Sequence, residues 1–323
     1  MQASGQVFVG VDVSKALLSI CVHGSKQRVE IANEVEPILD WLQGLPAEAV
    51  IAVESTGRYH RSLVLQAHAS GRRVFVLNAQ DIYFYAKGLG ARGKTDRKDA
   101  QVIARYLAEH RGELRPWAPT ASRLDRLEEL LRCRAGVSSK RSSLRQLLRD
   151  TPELQGSAVA LERGFDELLA DIVTRMASLV DEDQAFAVRC RQLRTIAGVG
   201  PLGSVRLAAL FSRIELHSSD AAVAFSGLDP RPHDSGAMRG RRKLSKRGDP
   251  QLRRQLYLAA FAAARSKAMG PHYLAIKAKG FKPTQALVIL ARKLLRVALA
   301  VWKSGKDFDP GMIGKPNVAC LEP

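Results

Sequence analysis

Cysteine is scarce and scattered. Cys21, Cys133, Cys190 and Cys320 are the only four in 323 residues, and no two form the CxxC pair on which a zinc-thiolate site or a dithiol redox motif is built. They read as reduced packing residues. The seven histidines show no ligand spacing either, which leaves carboxylates as the side chains able to hold a metal. No apolar run approaches the ~18 to 20 residues of a membrane-spanning helix. The N-terminal MQASGQVFVGVDVSK lacks the basic segment and apolar stretch of a secretory signal. A cytoplasmic chain without membrane contact is expected. Acidic residues are also in short supply, 32 against 50 Lys and Arg, for a net charge of +18. With 46% hydrophobic and 25% charged residues the chain is otherwise composed like a folded protein, and its length suggests two domains.

The surplus of positive charge is unevenly spread. Residues 1–110 carry 13 basic and 11 acidic side chains, residues 111–190 carry 13 of each, and residues 191–323 carry 24 basic against 8 acidic. A single basic residue usually does no more than solvate a face. A whole third of a chain biased this way calls for a polyanionic partner docked C-terminally.

QVFVGVDVSK, LLSICVHG and KQRVEIAN are three short β-rich runs separated by turn residues, an antiparallel meander. EVEPILDWLQGL then reads as a helix, AVIAVEST as a strand, RSLVLQAHAS as a helix ending at Gly71, and RRVFVLNA as a strand. Three hairpin-linked strands followed by alternating helices and strands is the order of the ribonuclease-H-like α/β fold, a mixed sheet between helical layers. From Leu124 the period changes. Leu124, Leu127 and Leu131, then Leu161, Phe165, Leu168, Ile172, Met176 and Leu179, recur at heptad-like spacing. Two long helices broken near Thr151-Pro152 follow from it. A projecting hairpin, a dimerising coiled coil and plain bundle core all fit that pattern.

In LRTIAGVGPLGSVRLAAL, Gly198, Gly200 and Gly203 interrupt apolar helical segments. This resembles a helix-hairpin-helix, whose glycines let backbone amides approach a phosphate; a tight helix turn fits the same residues. Further helices are expected over QLRRQLYLAAFAAARSKA and from about Thr284 to Trp302, with a flexible Pro- and Gly-rich tail from Gly305. The expected domains are 1–118, an α/β catalytic domain; 119–190, a helical coiled-coil connection; 191–304, a basic, mainly α domain; and the tail, 305–323.

Four carboxylates stand out. Asp12 lies within an apolar strand, where a lone buried carboxylate is costly unless a cation or donors meet it. Glu54 ends another apolar strand, and the ends of neighbouring strands in an α/β sheet open into one crevice. Asp96 and Asp99 sit three apart at a helix start, hence on one face. Each has a structural alternative, an N-cap for Asp96 or Asp99 above all. Together they form an oxygen-only set suited to Mg²⁺ or Mn²⁺ and to phosphodiester transfer. Arg92, Lys94, Arg97 and Lys98 beside them suit a nucleic-acid backbone.

GVDVSK, AVESTG, KTDRKDA, GVGP, FSGLDPRPHDSG and SKRGDPQLRRQL, in this order, resemble the DEDD insertion-sequence transposases related to Piv-type DNA invertases. The resemblance covers about residues 6–303. It implies a RuvC-like N-terminal domain, a coiled-coil connection and a C-terminal transposase domain, with Asp12, Glu54, Asp96 and Asp99 in the metal-binding positions and Ser235 in the nucleophile position. It further implies guidance by a structured noncoding bridge RNA that pairs with donor and target DNA.

Read from the residues alone, a serine in a Gly- and Pro-rich loop is usually a turn former. Around Ser235, however, Arg231, Arg239, Arg241, Arg242 and Lys243 would neutralise a scissile phosphate, and Gly236 would let the backbone come close. Lys246, Arg247, Arg253 and Arg254 extend this basic surface. His233 and Asp234 adjoin the serine, His233 as a nucleic-acid contact, and Ser245 is the rival nucleophile. Taken with the resemblance, which alone implies the guide RNA, the reading is an RNA-guided DNA recombinase acting as a homo-oligomer, a dimer and then a tetramer when two duplexes are brought together, with a covalent protein–DNA intermediate. A metal-dependent junction nuclease is the runner-up. An actin-like ATPase lacks a second phosphate loop, and a packaging protein leaves the acids unexplained.

Overall fold

The computed structural model describes residues 6–25, 27–55, 57–90, 96–119, 121–231 and 242–313. The chain divides into two compact units, Met1–Pro119 and Thr120–Pro323.

The first unit is α/β. Strands β1 (Phe8–Val13), β2 (Leu17–Val22) and β3 (Arg28–Ala32) form the meander, followed by α1 (Val35–Gln43), β4 (Val50–Glu54), α2 (Arg61–Ala69), β5 (Arg73–Leu77), α3 (Ala79–Gly88) and α4 (Asp96–His110). The sheet order is β3-β2-β1-β4-β5. β2 is antiparallel to β1 and β3, while β4 and β5 run parallel to β1. Both faces are covered, which is why β1 and β4 read as nearly continuous apolar runs. Val9, Val11, Ile51 and Val53 pack with Ile38, Leu42 and Leu63 of α1 and α2. Val50, Ala52, Phe75 and Leu77 pack with Ile82, Ile103 and Leu107 of α3 and α4.

Helix α4 lies against β1 backbone to backbone. A Cβ on Gly10 would stand 2.3 Å from both the Ala100 carbonyl oxygen and the Ala104 nitrogen. Glycine and two alanines set this approach. Helix α3 has no counterpart among the helices expected from sequence. Only Ile82 of it is buried, while Tyr83 and Phe84 are exposed, so it carries no clear apolar stripe.

The second unit is almost entirely helical: α5 (Ser122–Leu147), two 3₁₀ turns at 148–150 and 152–154, α6 (Gln155–Asp181), α7 (Gln184–Arg194), α8 (Pro201–Arg213), α9 (Ser219–Ser226), the two-residue strands β6 (Pro230–Arg231) and β7 (Lys243–Leu244), α10 (Pro250–Ala263), α11 (Gly270–Ala278) and α12 (Pro283–Ser304). Helices α5 and α6 form a hairpin that breaks at Thr151-Pro152. It is laced by Arg141–Glu162 at 2.6 Å, Arg145–Glu162 at 2.7 Å and Arg123–Asp183 at 2.7 Å.

The hairpin does not stand apart as a connection. Leu124, Leu127, Leu130, Leu131, Ile172 and Met176 belong to the same apolar cluster as Leu193, Leu256, Leu290 and Leu294. The heptad-like residues nearer the break behave differently, with Leu161 and Leu168 exposed.

Two further expectations are corrected. Helix α10 ends at Ala263, before the Ala268 read from sequence, because the Ser266 hydroxyl accepts from the Met269 amide at 3.1 Å and turns the chain into α11. Residues 305–313 are not a flexible tail. The Phe308 backbone amide donates to Thr195 Oγ1 at 2.8 Å, the Gln192 side-chain Nε2 donates to the Gly305 carbonyl, and Phe308 and Ile313 pack on the core. Composition shows the Pro and Gly of this stretch but not the apolar surface that receives its two large side chains. Residues 314–323 lie outside the described residues.

Candidate functional site

The parallel register of β1 and β4 pairs Phe8 with Val50, Gly10 with Ala52 and Val11 with Val53. Asp12 and Glu54 each follow directly on the last of these pairs. Side chains two apart in a strand share a face, so Asp12 follows Gly10 and Glu54 follows Ala52 on the face that α4 covers. Asp99 immediately precedes Ala100, whose carbonyl oxygen abuts Gly10. The first turn of α4 therefore starts beside the carboxyl ends of both strands. Asp12, Glu54 and Asp99 are half-buried there. Asp96 is the first residue of α4; its side chain and those of Arg97 and Lys98 lie outside the described residues, as do Arg92 and Lys94.

Oxygen donors from two strand ends and a helix start match a hard divalent cation in kind. Among the described residues, no group of three or more His, Cys, Asp or Glu side chains is gathered closely enough to hold an ion. Asp12, Glu54 and Asp99, all three described, are therefore not drawn together into such a group; the side chain of Asp96 lies outside the described residues.

In the second unit, Ser235 with His233, Asp234, Arg239 and Arg241 lies outside the described residues, but both ends of its loop are described. β6 and β7 pair antiparallel, Pro230 with Leu244 and Arg231 with Lys243. Below that ribbon two backbone segments are pressed together. A Cβ on Gly227, whose φ is +69°, would stand 2.7 Å from the Arg247 nitrogen, and one on Gly248 would stand 2.0 Å from the Phe225 carbonyl oxygen. Arg253 staples the contact by donating to the carbonyls of Gly248 and Ser226, the latter at 3.2 Å. The loop thus leaves a clamped base.

Ser245 is part of the clamp. It is 6% exposed, its hydroxyl donates to Asp229 Oδ1, and its amide donates to the Asp229 carbonyl at 2.9 Å. Sequence reasoning missed Asp229; the only hint was its place between Gly227 and Pro230. Arg242, Lys243, Lys246, Arg247 and Arg254 are exposed, and Arg231 is half-buried.

The first glycine of the GVGP turn has a packing role. Gly198, at φ +88°, brings the turn within 2.2 Å, measured from an added Cβ, of the Ala259 carbonyl oxygen of α10. Pro201 starts α8, with Gly200 as its extended N-cap.

Residues 9–152, which contain all four acids, match a transposase family model, DEDD_Tnp_IS110. Residues 190–274, which contain the ribbon and its loop, match the transposase IS116/IS110/IS902 family. Over 94% of its length the chain is 25% identical to the pilin gene-inverting protein of Moraxella bovis, of which it covers 98%. It is 24% identical, again over 94%, to the uncharacterized 42 kDa protein of insertion element IS900 of Mycobacterium paratuberculosis, covering 97% of it. Against the transposase for insertion sequence element IS1111A of Coxiella burnetii it is 25% identical over 80% of this chain and 78% of that protein. With transposase models matched in both units and these relatives spanning most of the chain, the protein belongs to the IS110/IS116 family of insertion-sequence transposases and is a DNA transposase or recombinase.

Proposed function

We propose that this transposase exchanges DNA strands between a donor and a target duplex through a covalent protein–DNA intermediate. Asp12, Glu54, Asp96 and Asp99 form its metal-binding centre, and Ser235 is its nucleophile. The observation that carries this reading is the strand register, which sets Asp12 and Glu54 side by side where α4 begins. The order β3-β2-β1-β4-β5 with one reversed strand supports a RuvC-like, ribonuclease-H-like first unit. Membership of a DEDD transposase family implies dependence on a divalent metal. Bound by these carboxylates, Mg²⁺ or Mn²⁺ would supply Lewis-acid stabilisation of charge developing at phosphorus.

The chain's own groups divide the rest. Ser235 Oγ attacks the scissile phosphorus, forming a serine–phosphate ester; the phosphorus–oxygen bond to the neighbouring deoxyribose breaks, and that oxygen leaves as a hydroxyl, the proton lost by the serine being balanced by the one it gains. The reverse attack by another strand's hydroxyl rejoins the DNA without ATP. Arg231, Arg239, Arg241, Arg242 and Lys243 hold the phosphates around the serine, and Arg92, Lys94, Arg97 and Lys98 hold those around the acids. Lys246, Arg247, Arg253 and Arg254 complete the basic surface, with part of Arg253 already committed to the clamp. Two duplexes require several serines, so the active form is a homo-oligomer. A structured bridge RNA encoded by the element, pairing with donor and target, supplies the choice of site.

A nicked donor that cannot be rejoined tests this. Wild type should trap DNA attached to protein on a denaturing gel. Ser235→Ala and Asp12→Asn should each abolish the adduct, and mixing them should restore part of it if serine and acids act across protomers. Cleavage without any adduct in the wild type would replace the proposal with a hydrolytic junction nuclease. For the guide, the protein is expressed with its flanking DNA and bound RNA is sequenced. A discrete structured transcript is expected, and random host RNA would overturn the assignment.

A further inference from the structure

Helices α5 and α10 both pack on α8, and they leave between them a cavity of about 110 Å³, open to solvent, whose polar lining is Ser138 and Arg134 of α5, Arg206 of α8, and Gln251, Arg254 and Gln255 of α10, the rest being the apolar side chains of Leu131, Ala135, Leu202 and Leu258. Three arginines separated by up to 120 positions in sequence thus face one depression. Asp249 is the acid that answers them, and both its oxygens are spent. Its Oδ1 accepts from the Gln251 amide at 2.8 Å, capping α10, and its Oδ2 accepts from Arg206 Nη1 at 3.2 Å.

The carboxylates earlier on α5, five to nine residues before Arg134, are engaged elsewhere: Asp125 and Glu128 with Arg213, and Glu129 with Arg126. Arg134 Nε is buried and has no hydrogen-bond partner. The Arg206 side chain is 11% exposed. Burial holds its guanidinium below the usual arginine range; Asp249 opposes that shift and the like charge of Arg132 adds to it. Burial lowers Arg134 in the same direction. Converging guanidinium and amide donors, with a charge left unbalanced, are the chemistry that receives a phosphate.

We propose that this cavity binds one backbone phosphate of the nucleic acid on which the transposase acts. The depression is open to solvent, so a phosphate group can enter it with the rest of the strand outside. Arg254, exposed at the rim, meets the phosphate first, and Arg134 and Arg206 hold it from within. The site rests on the reading of this chain as a nucleic-acid enzyme and adds to it a specific anchor made of residues other than the four acids and the serine.

The test measures binding of a short DNA duplex of arbitrary sequence against salt concentration. It compares the wild-type chain, Arg254→Gln, and the double variant Arg134→Gln with Arg254→Gln. The double variant should lose about 0.9 from the slope of log K against log salt, the value of one duplex phosphate contact. Arg254→Gln, an exposed change, should lose part of it and guards against a folding defect in the double variant. Inorganic phosphate is the second probe: it should raise the melting temperature of wild type but not of the double variant.

An unchanged duplex slope in both variants overturns the proposal while leaving the nucleic-acid reading intact. An unchanged slope together with a lost phosphate effect assigns the cavity to a free anion instead, which also overturns it. A wild-type chain that binds no nucleic acid would sink the functional reading itself, and the cavity proposal with it.

Discussion

The two units place their chemistry by different means. In the first, acids are positioned by a sheet: a period of two and a parallel register bring Asp12 and Glu54 to adjacent strand ends, and Gly10 draws α4 down beside them. In the second, cations are positioned by helix packing. Arg134, Arg206 and Arg254 meet only because α5, α8 and α10 share a core. A sheet register is readable from local pattern, whereas convergence of helices is not, so the acids announce themselves in the sequence and the arginine cavity does not. The units also differ in charge, nearly neutral where the four acids lie and strongly basic around the serine loop, so that most of the cationic surface for phosphates belongs to the second.

The sharpest way to break this division is to remove one acid. Asp12→Asn should reduce strand exchange to background while leaving both nucleic-acid affinity and thermal stability near wild type, because it takes away a negative charge at nearly constant volume. Loss of affinity as large as the loss of exchange would show that Asp12 serves docking of the nucleic acid rather than the chemical step alone.

Next in size are two glycine replacements, each confined to its own unit. Gly198→Ala should cost about 1–3 kcal/mol for the clash with Ala259 and about 1–2 kcal/mol more for a left-handed residue. Gly10→Ala should cost about 1–3 kcal/mol by overpacking β1 against α4. The chain carries a reporter for each unit: Cys21 in β2 and Cys190 in α7, both buried. Burial raises the Cys21 thiol and pushes that of Cys190 up to about 12, so neither offers thiolate in the native state. Alkylation followed by mass spectrometry during a urea titration should show Gly198→Ala exposing Cys190 earlier and Gly10→Ala exposing Cys21 earlier. If either variant exposes both thiols together, the units do not unfold separately.

A smaller effect is expected at the hairpin. Hydrogen bonding from Arg145, and then from Arg141, holds the Glu162 carboxyl below its ordinary value of 4.5. A carboxylate with a depressed folded value contributes stability above the ordinary value and loses it as pH falls through the depressed one. Amide hydrogen exchange along α5 and α6 should therefore accelerate in that acid range. The acceleration should be absent in Glu162→Gln, which begins without the ion pairs.

Much of the first unit was legible because its strands are covered on both faces and its acids interrupt apolar runs; α3 was not, since it buries little. In the second unit the heptad-like leucines predicted two long helices correctly, yet the same spacing serves a core and a free stripe. Leu127 and Met176 went to the core, and Leu161 and Leu168 to the surface. The two serines show the same limit. Sequence ranked Ser245 below Ser235 on its setting alone, while the structure ties the Ser245 hydroxyl to Asp229 within the clamp.

By itself, then, the sequence determined the five strands of the first unit and most of the longer helices, the acids that end apolar strands, the partition of charge and the likeness to a transposase family. Each of these is written in residue type and in spacings of a few residues. Tertiary structure alone decided that α4 closes on Gly10, that the hairpin's base joins the C-terminal core, that residues 305–313 dock, and that three distant arginines share one cavity. Those outcomes depend on which surfaces exclude water together, and that is a sum over many weak contacts between segments far apart in the chain.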